Sequence, residues 1–190
     1  MSDFASYEQV SIYGLDDANR EKLLSEHSEC TFMWSTQDGW PIGVIMSYLW
    51  KDGRFWLTAG AHRHRISAVR RDDRVSVVVT STGTQLGGGK SATAKGRCIV
   101  HEDRETKDWF YPEFSSHLHR GNAGAAEEFC KFLDSPLRVV IEVIPEKWIV
   151  YDGVKMFLDQ AGKLDDKDRT TPKSSDTERL PREIEKRGLS

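Results

Sequence analysis

Gly39-Trp-Pro-Ile-Gly-Val-Ile-Met-Ser-Tyr-Leu-Trp-Lys-Asp-Gly-Arg-Phe-Trp-Leu-Thr-Ala-Gly60 contains two runs rich in β-branched and aromatic residues, one on each side of Lys51-Asp52-Gly53. Such runs fit a pleated, half-buried surface, and an Asp-Gly pair suits a tight hairpin because both positions tolerate positive φ. Ile42 to Trp50 and Arg54 to Gly60 therefore read as antiparallel strands. Gln37-Asp38-Gly39 carries the same signal upstream and ties in a third strand, Cys30 to Thr36, so a three-stranded meander is expected.

Downstream the period changes. His62 to Asp72 places Ile66 and Val69 on one face among arginines, as a short helix would. The next strand, Arg74 to Ser81, holds Val75-Ser-Val-Val-Val-Thr80, whose nearly continuous β-branched character predicts a central strand covered on both sides. Strand character resumes from Ser91 to His101, and again in Leu137 to Ile144 and Lys147 to Tyr151, split at Pro145. Helices are expected after Asp16-Asp17, with Ala18, Leu23 and Leu24, and over Asp103 to Phe110 and Asn122 to Leu133. The fold class is mainly β (α+β): a six- to seven-stranded antiparallel barrel, closed or split, with short flanking helices, since closure removes exposed edges.

A chain of 190 residues with 38% hydrophobic content forms one domain with a core. That domain is expected over residues 7–158. From Asp159 to Ser190, eight acidic and eight basic residues sit among few apolar ones, with Pro172 and Pro181 interrupting. This reads as a charged tail, or as an arm lying on a partner with Leu180, Ile184 and Leu189 as anchors. No apolar run has the length of a membrane span and the start lacks signal-peptide character, so a soluble cytoplasmic protein is expected. A formal net charge of -3 offers no general attraction to nucleic acid or anionic membrane. The basic stretch Arg63 to Arg74 has Asp72 and Asp73 beside it and no interleaved aromatics for base stacking. Cys30, Cys98 and Cys130 are too few and too scattered for a disulfide framework or a zinc motif.

The most informative chemistry lies at Thr58-Ala-Gly-Ala-His-Arg-His-Arg-Ile66, where a strand runs into a helix through a cationic cluster. Helix-start amides have no intrahelical partner, the macrodipole is positive there, and Arg63 and Arg65 add forks suited to a phosphate. Gly89-Lys90-Ser91 matches the end of a triphosphate-binding loop, but Thr84 stands where the first glycine is required and a strand follows instead of a helix. That loop reads instead as a flexible hairpin that carries Lys90 toward a bound anion, or as a merely solvated loop. His62, His64, His117 and His119 lack a supporting carboxylate or thiolate set, so no metal site is expected. No nucleophile elbow is present either.

Taken together, these residues resemble the flavin-binding split-barrel family of pyridoxamine 5'-phosphate oxidase-like proteins and their deazaflavin-using relatives, from about Tyr7 to Leu158. The likeness rests on Gly39-Trp-Pro-Ile-Gly-Val-Ile45, Phe55-Trp-Leu-Thr58 leading to the basic junction, Arg74-Val-Ser-Val-Val-Val79, Ala94-Lys-Gly96-Arg97 and Pro145-Glu-Lys-Trp148. The resemblance implies a homodimeric oxidoreductase with FMN at the interface and a small organic substrate. By position it implies phosphate contacts from Arg65 with Arg63 or His64, and a flavin wall from Val44, Ile45, Met46 and Ser47. Leu57 and Thr58 would hold the flavin end of their strand, and Lys90 and Ser91 would add polar contacts, across the dimer or within one chain. F420 would suit the same cations, and a non-catalytic flavin- or haem-binding protein is the reading from a different class. The terminal tryptophan and arginine that hold substrate in pyridoxal-phosphate-forming members have no match. Trp109, Tyr111 and Phe114 read as core packing or as the wall of a private substrate pocket.

Overall fold

A computed structural model describes residues 8–189. Seven strands form one antiparallel sheet: β1 (Glu29–Ser35), β2 (Pro41–Ser47), β3 (Leu49–Lys51), β4 (Arg54–Gly60), β5 (Arg74–Thr80), β6 (Lys90–His101) and β7 (Arg138–Asp152). Their order is β2-β1-β5-β6-β7-β4-β3. The helices are α1 (Asp17–Glu26), α2 (His64–Arg71), α3 (Arg104–Leu118), α4 (Ala123–Leu133), α5 (Gly153–Gln160) and α6 (Ser174–Lys186). Among the described residues no helix is long and apolar enough to cross a membrane.

The sheet order corrects the expected meander. β2 pairs with β1, and β3 pairs with β4 at the opposite end of the sheet, although only Tyr48 separates β2 from β3. The run from Ile42 to Trp50 thus turns a corner at Tyr48 and joins the two ends of a curled sheet, which makes a split barrel. Tyr48 is fully buried and donates its hydroxyl to the Leu24 carbonyl at 2.9 Å, so the corner is fixed to α1. Asp52 and Gly53 both have positive φ, 54° and 74°, as the β3–β4 hairpin requires.

Inside the barrel lie Phe32, Leu57, Val77, Ala94 and Ile141, closed over by Leu23 and Leu24 of α1 and Ile66 and Val69 of α2. A second core forms outside, where Phe110, Tyr111 and Phe114 of α3 and Leu133 of α4 cover Trp56 and Val140. The helix expected over Asp103 to Phe110 continues to Leu118 through Pro112. An interior proline costs about 3 kcal/mol, which burial of three aromatics on one face offsets. The strands expected to part at Pro145 form one strand, because Pro145 pairs with Gly96 at a register shift where its missing N–H breaks no regular ladder.

The remaining outer face differs from the expectation for β5. Val75, Val77 and Val79 are buried inward, but Val78 points outward and is only half-buried. It belongs to a row in register across five strands, Ile45, Thr31, Val78, Thr93 and Ile149. Ile45 is 67% exposed and Ile149 42% exposed, so one chain leaves this face bare.

The expected boundary at residue 158 falls inside α5. Beyond it, the Thr170 hydroxyl donates to the Ser11 carbonyl at 2.8 Å and accepts from the Gly14 amide at 3.2 Å. Tyr13 donates to Asp159 at 2.7 Å, and Arg169 pairs with the same carboxylate. Residues 159–170 are therefore strapped to Ser11–Gly14. Leu180 and Ile184 of α6 are half-buried and Leu189 is exposed.

Candidate functional site

The β4–α2 junction is an uncapped helix start. Asp16, Asp103, Asn122 and Asp152 cap the N-termini of α1, α3, α4 and α5 with side-chain acceptors. At α2 the N-cap residue is Arg63, which makes no such bond, and the first turn holds no acidic residue. Arginine at that position runs against the usual preference for a small acceptor, and an anion from outside would satisfy the free amides instead.

A cleft of about 220 Å³ opens beside this junction. Ile45, Met46 and Ser47 from the end of β2 line it together with Thr58 of β4 and Arg65 of α2, and Phe114, Leu118, Phe129 and Leu133 of α3 and α4 form the far wall. β2 and β4 are distant in the sheet order, so the cleft sits where the curled sheet comes round on itself. Thr58 is oriented by donating its hydroxyl to the Val139 carbonyl at 2.8 Å.

Arg65 is half-buried, with its guanidinium 6.0 Å from the Trp34 ring centroid. Its Nε is buried and has no hydrogen-bond partner. Burial and then the neighbouring charge of Arg63 lower its pKa, although a guanidinium stays protonated in any accessible range. Among the described residues neither arginine forms an ion pair, whereas Arg54, Arg70, Arg97 and Arg104 all do. A partly desolvated cation without a counter-charge is a ready seat for an anion.

The other expected residues fall elsewhere. Arg63 and His64 are exposed at the mouth of α2. Val44 and Leu57 face the barrel interior, Leu57 with no exposure at all, so they shape the wall from behind. Lys90 and Ser91 begin β6 and pair with Asp152 and Tyr151. Within one chain Lys90 does not line the cleft. Its charge is also matched already, with Nζ 3.6 Å from Asp152 and bonded to the Leu86 carbonyl at 3.0 Å. His117 and His119 lie at the end of α3, His117 against Arg120 at 2.7 Å and His119 against the Phe129 ring, and so do not alternate on extended backbone. Burial, then the charge of Arg120, lowers the pKa of His117. Among the described residues no group of three or more His, Cys, Asp or Glu is placed to hold a metal ion. Phe114 serves both readings of the aromatic segment, as core and as cleft wall, while Trp109 packs edge-on against Trp56.

A family model described as pyridoxamine 5'-phosphate oxidase matches residues 16–152. The chain belongs to that family. Among solved structures, this family member resembles a conserved hypothetical protein of Mycobacterium tuberculosis with a TM-score of 0.67 at 18% identity, covering 78% of this chain and 91% of that one. It also resembles an FAD-binding protein from Mesorhizobium loti, with a TM-score of 0.53, 22% identity and coverage of 70% and 92%. A protein described as F420 reductase has a TM-score of 0.53 at 16% identity, with coverage of 68% and 94%. At these identities the likeness is one of fold. No curated protein matches the chain in sequence.

The sequence reading of this family member missed Arg138 and the wall of Leu118, Phe129 and Leu133. Arg138 lines the cleft because β7 pairs with β4, which sets it opposite Gly60. Its position after Ser135-Pro136 and before a β-branched run marks a strand start, but pairing across 78 residues leaves no local signature.

Proposed function

We propose that this chain is an oxidoreductase that holds FMN between two copies of itself, with the flavin phosphate at the start of α2 against Arg65. The observation that carries the reading is the uncapped α2 start with a partly buried, unpaired Arg65, opening on a cleft walled by Ile45, Met46, Ser47 and Thr58. Backbone amides and guanidinium forks suit a phosphomonoester, and the strand end beside them offers a flat, mostly apolar wall for a ring system. The flavin, when bound, supplies reversible hydride or electron transfer to a small organic substrate. The chain's own residues bind the phosphate, orient the ring and keep water from one of its faces.

The cleft also supports a site completed by a second copy. At about 220 Å³ it is smaller than the roughly 300–1,000 Å³ of pockets that enclose small molecules. Ile45 borders this cleft and also begins the bare row on the outer sheet face. A second chain packed on that face would roof the cleft. Lys90 of the partner would reach the ligand only by leaving Asp152.

The deazaflavin F420 is a second reading of the same site, favoured by the number of unpaired cations around it. The absorption spectrum of the purified protein, before and after titration with FMN, F420 or haem, separates these readings and the non-catalytic alternative is tested by adding NADPH or dithionite. FMN binding with reversible bleaching is expected. A protein that binds none of the three refutes the proposal. Arg65→Ala should weaken FMN binding by about 1.5–3 kcal/mol, the worth of a charged hydrogen bond, and an unchanged affinity removes the phosphate assignment.

A further inference from the structure

Arg138 is the second guanidinium of the cleft, and nothing among the described residues balances its charge. It opens β7 in register with Gly60, with the Ala61 amide bonded to the Leu137 carbonyl at 2.7 Å, so the β4–β7 ladder holds it directly opposite the β4–α2 junction. Its guanidinium carbon lies 5.3 Å from the centroid of the Phe132 ring. Among the described residues its side chain forms no ion pair and no hydrogen bond, although Asp134 lies four residues away. That carboxylate is taken by Arg104 at 2.6 Å.

Arg65 and Arg138 are both half-buried and line the same small cleft, and among the described residues neither guanidinium has a counter-charge. Nearby, the Tyr111 hydroxyl is buried without a hydrogen-bond partner. Burial raises the pKa of that hydroxyl, and the charge of Arg138 opposes the rise. A dianion in the cleft would give both arginines the counter-charge they lack.

We infer that Arg138 and Arg65 form a two-arginine clamp on one phosphate group, with Arg138 approaching from β7 and Arg65 from α2. The inference rests on the proposed phosphate site and adds to it a residue from a different element. A phosphomonoester carries close to two charges near neutral pH, which matches two guanidinium groups better than it matches one. The clamp therefore makes the site selective for the phosphorylated form of its ligand over the unphosphorylated form.

The test compares FMN with riboflavin, which share the ring and differ in the phosphate. Fluorescence titrations of the full chain give dissociation constants for the wild type, Arg138→Met, Arg138→Lys and Arg65→Met. Arg138→Met should raise the FMN constant about tenfold or more and leave the riboflavin constant unchanged. Lysine should restore part of the loss, since it keeps the charge without the fork. The ligand-free Arg138→Met protein should melt no lower than the wild type, because the cation removed has no counter-charge to lose. Equal losses for FMN and riboflavin, or an unchanged FMN constant, would overturn the clamp. If Arg65→Met loses FMN affinity and Arg138→Met does not, the phosphate site stands and only the clamp fails. If the wild type binds neither flavin, inorganic phosphate at constant ionic strength decides. Stabilisation of the wild type that is lost in Arg138→Met retains the clamp, and equal response of both proteins rejects it.

Discussion

Gly96→Ala should destabilise the chain sharply although it adds only a methyl group. A Cβ at residue 96 would lie 2.2 Å from the Ile144 carbonyl oxygen, 2.9 Å from its carbonyl carbon and 3.1 Å from the Pro145 Cα. All three are backbone atoms of β7, at the register shift where β6 and β7 bend together. A flexible side chain could swing aside at little cost, but here the strand itself must move. Inserting one carbon into a packed core typically costs 1–3 kcal/mol, and with a backbone obstacle the loss should sit near about 3 kcal/mol. For a chain of this size that corresponds to a fall of about 6–12 °C in Tm. Urea denaturation followed by tryptophan fluorescence should show a lower midpoint with an unchanged slope. A loss below about 1 kcal/mol would mean that β6 and β7 separate more easily than the close approach implies, and the reasoning would be wrong.

Ile45→Asp and, further from the cleft, Ile149→Asp place a carboxylate on the bare sheet face, where burial against a second copy would leave it unpaired. Both should shift the protein from dimer to monomer in sedimentation velocity, and a wild type that is already monomeric would remove this face as the interface. Tyr13→Phe probes the strap that holds residues 159–170. Burial, and then the hydrogen bond to Asp159, push the Tyr13 hydroxyl from 10.0 up to about 12. The folded chain keeps this proton where the unfolded chain loses it, so the stabilisation is full below pH 10 and is lost as pH rises towards 12. Cys30 and Cys98 are also pushed by burial up to about 12, so the Tyr13 contribution is read as the wild-type minus Tyr13→Phe difference in stability across that window. A difference that does not change with pH would mean the hydroxyl is not buried as described.

Local chemistry was legible wherever neighbours in sequence decide the outcome. Asp52-Gly53 announced a hairpin because positive φ at two successive positions is a local steric requirement, and both angles are positive. The runs Cys30 to Thr36 and Arg74 to Ser81 were legible as strands for the same kind of reason, and both form strands. Ile42 to Trp50 was legible as strand but not as two strands, since β propensity along a run does not record which neighbour each half will pair with. Helix α3 outran its expected end because Pro112 lowers local propensity, while the gain from burying Phe110, Tyr111 and Phe114 against Trp56 exists only in the assembled fold.

By itself, the sequence determined the element types, the antiparallel hairpins and the cationic strand-to-helix junction, because turn stereochemistry, side-chain period and helix-end electrostatics act over a few residues. The tertiary structure decided that Tyr48 is the corner joining the two ends of the sheet, that Lys90 is held by Asp152, and that Arg138 and Arg65 line one cleft. Each of these depends on pairing between segments tens of residues apart. Curling the sheet brings β2 round towards β4, and that closure turns scattered residues into a site.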